Sequence, residues 1–390
     1  MTNFLTLRNA QIVLEDEIIH GSVQVRDGLI VDIASGPSNV GEDFESDLLI
    51  PGLVEIHTDN LERHLMPRPK VRWPAMAALL SHDAEIAAAG ITTVFDALGI
   101  GDGDTDGLRG GGMDEILGAL KQSQQHRVLR ADHHLHIRCE LPAPNTLELF
   151  QPFAKLNQTI ASHESNPSIR VGLISLMDHT PGQRQWSEIS HARTYFTGKK
   201  GWSLEKFDRH VAEAPEAQHR FARPHRSHFI AWAREHAVPV ASHDDTTPEH
   251  VAEAVADGIR ISEFPTTMAA AQAARSASML IVMGGPNMVR GGSHSGNVAA
   301  ADLARAQLLD ALSSDYVPGS LMLGALRLVE EAGWSLPQAL STVSRQPAQA
   351  LGLNDRGMIS QGMRADLVRV HRLDLQPAVR AVWRQGQRVC

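Results

Sequence analysis

Two cysteines in 390 residues, Cys139 and Cys390, are too few for a disulfide framework, which excludes a stapled secreted scaffold and fits the reducing cytoplasm. No run approaches the roughly 18 apolar residues of a spanning helix. The opening MTNFLTLRNAQIVLEDE lacks the charged region and apolar stretch of an export leader, so neither export nor insertion is expected. Positive charge is also short, with 36 Lys and Arg against 45 Asp and Glu and a net charge of -9. That balance argues against general nucleic-acid or membrane-surface binding while leaving room for a local basic pocket that takes an anionic small molecule. No tandem repeat or low-complexity tract occurs. The glycine-rich stretch 99–112, GIGDGDTDGLRGGG, lacks the Gly-Lys-Ser/Thr of a phosphate loop and reads as a long flexible loop.

What is present is material for a large core: 43% of residues are hydrophobic and 21% charged, the balance of a globular chain. Residues 3–50 alternate short apolar strands with turn signals, and the same texture returns at 357–390 with no room for crossover helices. Both ends are therefore expected to form one small β-sandwich module (1–50 and 357–390). Between them, strands alternate with helical stretches, the signature of βα units around a parallel sheet. Eight candidate strands follow, at 52–57, 91–98, 132–140, 169–178, 238–243, 259–264, 279–284 and 310–315. Helices are expected at Met76–Ala89 and at Glu249–Asp257, the latter opened by Thr247 and Pro248 as cap and first-turn proline. The fold class is α/β, a (β/α)8 barrel over 51–356. Homo-oligomerisation is compatible with this composition.

In such barrels the reacting groups stand at the carboxyl ends of the strands. That rule collects His57 and Asp59, Asp96, Glu140, Asp178 and His179, His243 with Asp244 and Asp245, Glu263, and Asp315. His57 and Asp59, two apart on a strand, point the same way and could grip one cation. Histidine and carboxylate together suit zinc or manganese, and two ions need a bridging carboxylate, for which Glu140 is the candidate. Structural duties compete: Asp244 and Asp245 could cap a helix, and Asp315 could form a turn. Asp96, Asp244, Asp245 and Glu263 are assigned to orienting ligands or loops. Behind the first strand come Arg63, His64, Arg68 and Arg72, candidates for an anionic substrate. In 284–297, GGPNMVRGGSHSGN, glycines could turn amides inward as an anion nest, with Arg290, Ser293, His294 and Asn297 as donors, or could simply mark turns.

With these residues in view, the chain resembles the amidohydrolase superfamily over nearly its whole length. PGLVEIHTDNLERHLMPRPKVRWP, MDHTPGQ at 177–183, SHDD at 242–245 and GGPNMVRGGSHSGN resemble, within it, the diphosphatases of the bacterial carbon-phosphorus lyase pathway. The resemblance implies metal-dependent hydrolysis of a phosphonate-bearing ribose 5-triphosphate to the 5-phosphate and pyrophosphate, in phosphonate catabolism. The superfamily's first-strand H-x-H stands here as His57-Thr58-Asp59, and no lysine is placed to become a carbamate bridge. The implied centre holds two divalent ions, one on His57, Asp59 and Asp315 and one on His179 and His243, with Glu140 between them and Asp315 as general base. The enzymatic alternative is deamination or cyclic amide hydrolysis at the same metals. A metal-free binding scaffold is the alternative of another class.

Overall fold

The computed structural model describes residues 4–68, 71–101, 112–159, 169–199, 201–293, 296–374 and 376–390. Most of the glycine-rich stretch expected as a long loop therefore lies outside the described residues, as does His294. Two sheets organise the chain, each of eight strands. The first is built from both ends. Leu48–Pro51 pairs in parallel with Phe4–Val13 on one side and antiparallel with Leu367–Leu373 on the other, stitching the termini into one layer. In Phe4–Val13 the buried positions Leu7, Ala10 and Ile12 do not keep strict alternation. A bulge between Leu7 and Ala10, with Asn9 at φ 54°, resets the pleat so that Leu7 and Ile12 share one core. Trp383 stacks on Phe44 there at 5.8 Å between ring centroids.

The second sheet holds eight parallel strands paired in sequence order, from Leu53–Thr58 to Ala311–Ser313, with each expected strand found within a few residues of its expected place. Val54, Ile56, Phe95, Leu173, Ala241, Ile261, Val282 and Ala311 point inward and pack on one another. Ala348, Leu351 and Leu353 close the floor beneath them. Gly172 is required by that packing, because a Cβ there would sit 2.5 Å from the Phe95 ring. The opposite faces of the strands, Leu135, Ile137 and Cys139 among them, meet the helices in a larger core. The expected helices run Ala75–Ala88 and Pro248–Ala256, and the Thr247 hydroxyl caps the second by accepting from the His250 amide. Among the described residues no helix is long and apolar enough to cross a membrane.

The barrel closes between its first and eighth strands by an unusual seam. The Asp315 amide donates to the His57 carbonyl at 3.0 Å, and the Asp59 amide donates to the Asp315 carbonyl at 2.6 Å. Where further ladder bonds would be, the buried Glu55 carboxylate accepts from the His57 and Ser314 amides, both at 2.7 Å. Burial lifts the Glu55 carboxyl to about 7, against the pull of those donors.

Asp96 is not at a strand end. Its strand runs on to Ile100, and its side chain faces outward under the helix Ala75–Ala88, away from the mouth. There it accepts from His82 Nε2 (2.6 Å) and His133 Nδ1 (2.8 Å), while His133 Nε2 donates to Asp83 (3.3 Å). Burial opposes the charge on His133, but Asp96 and Asp83 outweigh it and hold the imidazole up to about 10. The contribution of this pairing to stability is complete below the unfolded value near 6.5 and is lost as pH rises through about 10. Asp96→Ala should cost about 3–5 kcal/mol, the scale of a buried charge left without its partner. Urea unfolding at neutral pH checks this, and the difference from the parent protein should narrow toward about pH 10.

Candidate metal centre

Three imidazoles reach the carboxyl end of the barrel, and a glutamate fixes each of them. His57 donates from Nδ1 to Glu263 Oε1 at 2.7 Å, and His243 donates from Nδ1 to Glu263 Oε2 at 2.6 Å. His179 donates from Nδ1 to Glu140 Oε2 at 2.6 Å, and its amide donates to Glu140 Oε1 at 2.8 Å. With Nδ1 committed, each ring turns Nε2 into the mouth, the arrangement by which proteins orient metal-binding histidine. The three Nε2 atoms look at carboxylates beyond hydrogen-bond reach. His57 stands 3.7 Å from Asp59, His179 3.7 Å from Asp244, and His243 3.4 Å from Asp244. His57 Nε2 and Asp244 Oδ2 are buried with no hydrogen-bond partner among the described residues.

Backbone geometry aims the carboxylates. Asp244 and Asp315 each follow their strand in the left-handed region, both at φ 56°, which turns the side chain across the mouth. Neighbouring Asp245 does something else. It binds Arg184 at 2.5 Å and the Ser242 hydroxyl at 2.5 Å, pinning the loop that carries Asp244. Burial, and then the charge of Asp59, lift Asp315 to about 6. His57, His243, Asp244 and Asp315 thus line a cleft of about 140 Å3 whose wall also contains Arg138, Gln185, Arg290, Ser293, Asn297 and Tyr316, with Asp59 close beside His57 and Asp315.

Comparison with known proteins shows the family of the chain. The amidohydrolase family model matches residues 205–390. The α-D-ribose 1-methylphosphonate 5-triphosphate diphosphatase of Escherichia coli is 45% identical over 389 residues, covering 99% of this chain and all of that protein. The chain belongs to the amidohydrolase family. Solved structures of similar shape include 5-methylcytosine deaminase from Klebsiella pneumoniae, with a TM-score of 0.61 and 14% identity, covering 99% of this chain and 97% of that one. N-acetylglucosamine-6-phosphate deacetylase from Pasteurella multocida has a TM-score of 0.59 and 13% identity, with 99% of each chain covered. At such identities the likeness shows the fold alone.

Amidohydrolases depend on metal, and the donor set here fits one. The orphaned His57 Nε2 and Asp244 Oδ2 are positions where a cation would supply the missing partner. Two groups bring their ligand atoms within 4.8 Å of one another: His57, Asp59 and Asp315, and beside them His179, His243 and Asp244. Glu263 also lies close to His57 and His243, but both of its oxygens already accept from their Nδ1 atoms and one accepts from Ser175 as well. Its duty is to hold the rings. His82, Asp96 and His133 form a further close group outside the barrel wall, where each ring nitrogen already has a hydrogen-bond partner.

Several expectations are revised. Glu140 does not stand between the two groups; it lies behind His179, bonded to that ring and its amide, which leaves Asp244 as the carboxylate facing two imidazoles. Arg63 and His64 do not line the cleft. The helix Asn60–Leu65 begins at once after Asp59 and swings both toward Glu85, at 2.6 Å and 2.8 Å. Arg68 is exposed, and the Arg72 guanidinium packs against Gly112. Arg290, Ser293 and Asn297 do line the cleft. Gly285 serves close packing rather than an anion nest: it opens the short helix Gly285–Arg290, and a Cβ there would sit 2.8 Å from the Ser320 carbonyl. Missed altogether were Arg138 and the helical excursion from Arg184 to Ala222, whose Trp186, Phe196 and Phe207 form their own small core.

Metal uptake should release protons. Burial opposes charge on His57 and His179, yet Glu263 beside the first and Glu140 beside the second hold them up to about 10 and about 9. A cation on Nε2 must displace those protons, so affinity should rise about tenfold per pH unit for each imidazole displaced, up to about pH 9. Zinc titrations of ion-free protein in buffers of different ionisation heat measure this. Affinity that stays flat from about pH 6 to about pH 9 would contradict the ligand assignment.

Proposed function

We propose that the protein is a metal-dependent diphosphatase that hydrolyses α-D-ribose 1-methylphosphonate 5-triphosphate to the 5-phosphate and pyrophosphate, a step of phosphonate catabolism. The observation that carries the reading is the full-length similarity, 45% over 389 residues, to the E. coli protein of that activity. The cleft agrees with it, because Arg138 and Arg290 add cationic donors to a mouth rich in ligand-type side chains. Two divalent ions, zinc or manganese, would be held by His57, Asp59 and Asp315 and by His179, His243 and Asp244. When bound, such ions supply Lewis acidity, bringing the pKa of water from about 15.7 toward about 7 and neutralising anionic oxygens.

The residues divide the remaining work. Glu263 and Glu140 keep the imidazoles in the tautomer that presents Nε2. Asp315, buried and lifted toward neutrality, accepts a proton from the attacking water. The water oxygen bonds to the phosphorus nearest the ribose, the bridging P–O bond to the next phosphorus breaks, and pyrophosphate leaves. Arg290, Ser293, His294 and Asn297 are placed in sequence to receive the anionic groups of the substrate, with Arg290 able to bind phosphate or phosphonate through two parallel N–H donors.

The test is pyrophosphate release from the ribose phosphonate triphosphate, run beside dihydropyrimidine and purine substrates. Asp315→Asn, which keeps size but loses the proton acceptor, should lower turnover by about 100-fold or more. Arg290→Ala should weaken binding, and Arg290→Lys should recover only part of that loss because lysine lacks the planar fork. Efficient hydrolysis of a cyclic amide, with no pyrophosphate released, would overturn the reading.

A further inference from the structure

Arg138 lies on the third barrel strand, Asp132–Glu140, two residues before Glu140 and two after His136. The pleat therefore puts it on the same face as both, inside the barrel and just below the rim. Its side chain is only 8% exposed, and it lines the cleft beside His57, His243, Asp244 and Asp315. Among the described residues one hydrogen bond fixes it: Nη1 donates to Asp59 Oδ1 at 2.7 Å. The guanidinium Nε is buried with no hydrogen-bond partner among the described residues.

A desolvated guanidinium with an unsatisfied N–H is costly, and native proteins seldom leave one without a role. If Arg138 served only to neutralise Asp59, a better-satisfied geometry would have been available, since an arginine fork can meet a carboxylate with two parallel bonds. Here a single nitrogen meets Asp59, leaving the rest of a five-donor group beside the cleft. Among the acidic side chains Asp59, Asp244 and Asp315, Arg138 is a fixed protein cation at the inner end of the mouth, where a multiply charged anion would meet it beside any bound metal.

Resting on the diphosphatase reading above, we propose that Arg138 binds a non-bridging oxygen of the phosphoryl group under attack, with Asp59 holding the guanidinium in position. The site thus has an inner anion receptor in Arg138 and an outer one in Arg290, so a substrate must carry charge at both depths. Charge that develops on the phosphoryl oxygens during displacement meets a donor already oriented for it, which costs no reorganisation at that moment. A charge-only role for Arg138 makes different predictions.

Arg138→Ala and Arg138→Lys should be compared with the parent protein, all loaded with zinc. Metal content by elemental analysis should stay at the parental level in both variants. Turnover in Arg138→Ala should fall by about 100-fold or more, with a smaller change in KM, and inorganic phosphate, standing in for the phosphoryl group under attack and measured by calorimetry, should bind at least about tenfold more weakly. Added guanidinium ion should restore part of the turnover of Arg138→Ala, and Arg138→Lys should stay well below the parent because it restores charge without the fork. Loss of metal from Arg138→Ala together with normal turnover in Arg138→Lys would reduce Arg138 to a counter-ion of Asp59 and overturn the inference. Unchanged affinity for inorganic phosphate in Arg138→Ala would overturn it too. The diphosphatase reading fails separately, on a parent protein that binds inorganic phosphate through Arg138 yet releases no pyrophosphate from the triphosphate.

Discussion

The barrel and the site are joined by the same few hydrogen bonds. Asp315 gives its amide to the His57 carbonyl and takes the Asp59 amide on its own carbonyl, so closing the sheet brings the two ends of the chain's catalytic unit into contact. These residues lie far apart in sequence, and the Thr58 hydroxyl, which donates to the same carbonyl over a separation of 257, tightens the join. Glu55 fills the remainder of the seam by accepting two backbone amides. A carboxylate there ties His57 and Ser314 together without lengthening either strand.

On that frame the chemistry is set by which ring nitrogen is left over. Glu263 commits the Nδ1 of both His57 and His243, and Glu140 commits that of His179, so the three Nε2 atoms face the mouth by construction. Of the carboxylates opposite them, Asp59 and Asp315 lie close enough to repel each other, and Asp315 is lifted to about 6 in consequence of burial and of Asp59. Left-handed backbone at Asp244 and Asp315 adds a cost on the order of 1 kcal/mol each. On the proposed reading, divalent cations would relieve the repulsion and give the orphaned Nε2 and Oδ2 atoms their partners, offsetting the strain at Asp244 and Asp315.

Much of this was legible in the residues. Short apolar runs spaced by helical stretches marked all eight barrel strands, and Thr247 with Pro248 marked a helix start that the structure retains. Strand ends pointed to His57, Asp59, His179, His243 and Asp315, because in this architecture side-chain chemistry at a carboxyl end has one place to go. What sequence could not supply was direction beyond the strand. Arg63 and His64 follow Asp59 closely, but a helix that starts at Asn60 turns them toward Glu85. Glu140 reads as well for a bridge as for a brace, and only the position of His179 decides between them. Asp96 looked terminal because its strand continues to Ile100 through apolar positions that carry no site chemistry. The alternation His134, His136, Arg138, Glu140 was the available signal for Arg138: four polar side chains on one inward face of a strand are more than packing requires.

The mouth holds its cations, on this reading, through the Nε2 atoms left over by Glu263 and Glu140. Anomalous diffraction from zinc-loaded crystals tests that claim most directly. Two peaks are expected inside the mouth, one within about 2.0–2.2 Å of His57 Nε2 and shared with Asp59 and Asp315, the other on His179 and His243 Nε2 with Asp244. A peak coordinated by Nδ1 of these rings, by Glu140 in place of Asp244, or only by His82, Asp96 and His133 outside the barrel wall would contradict it.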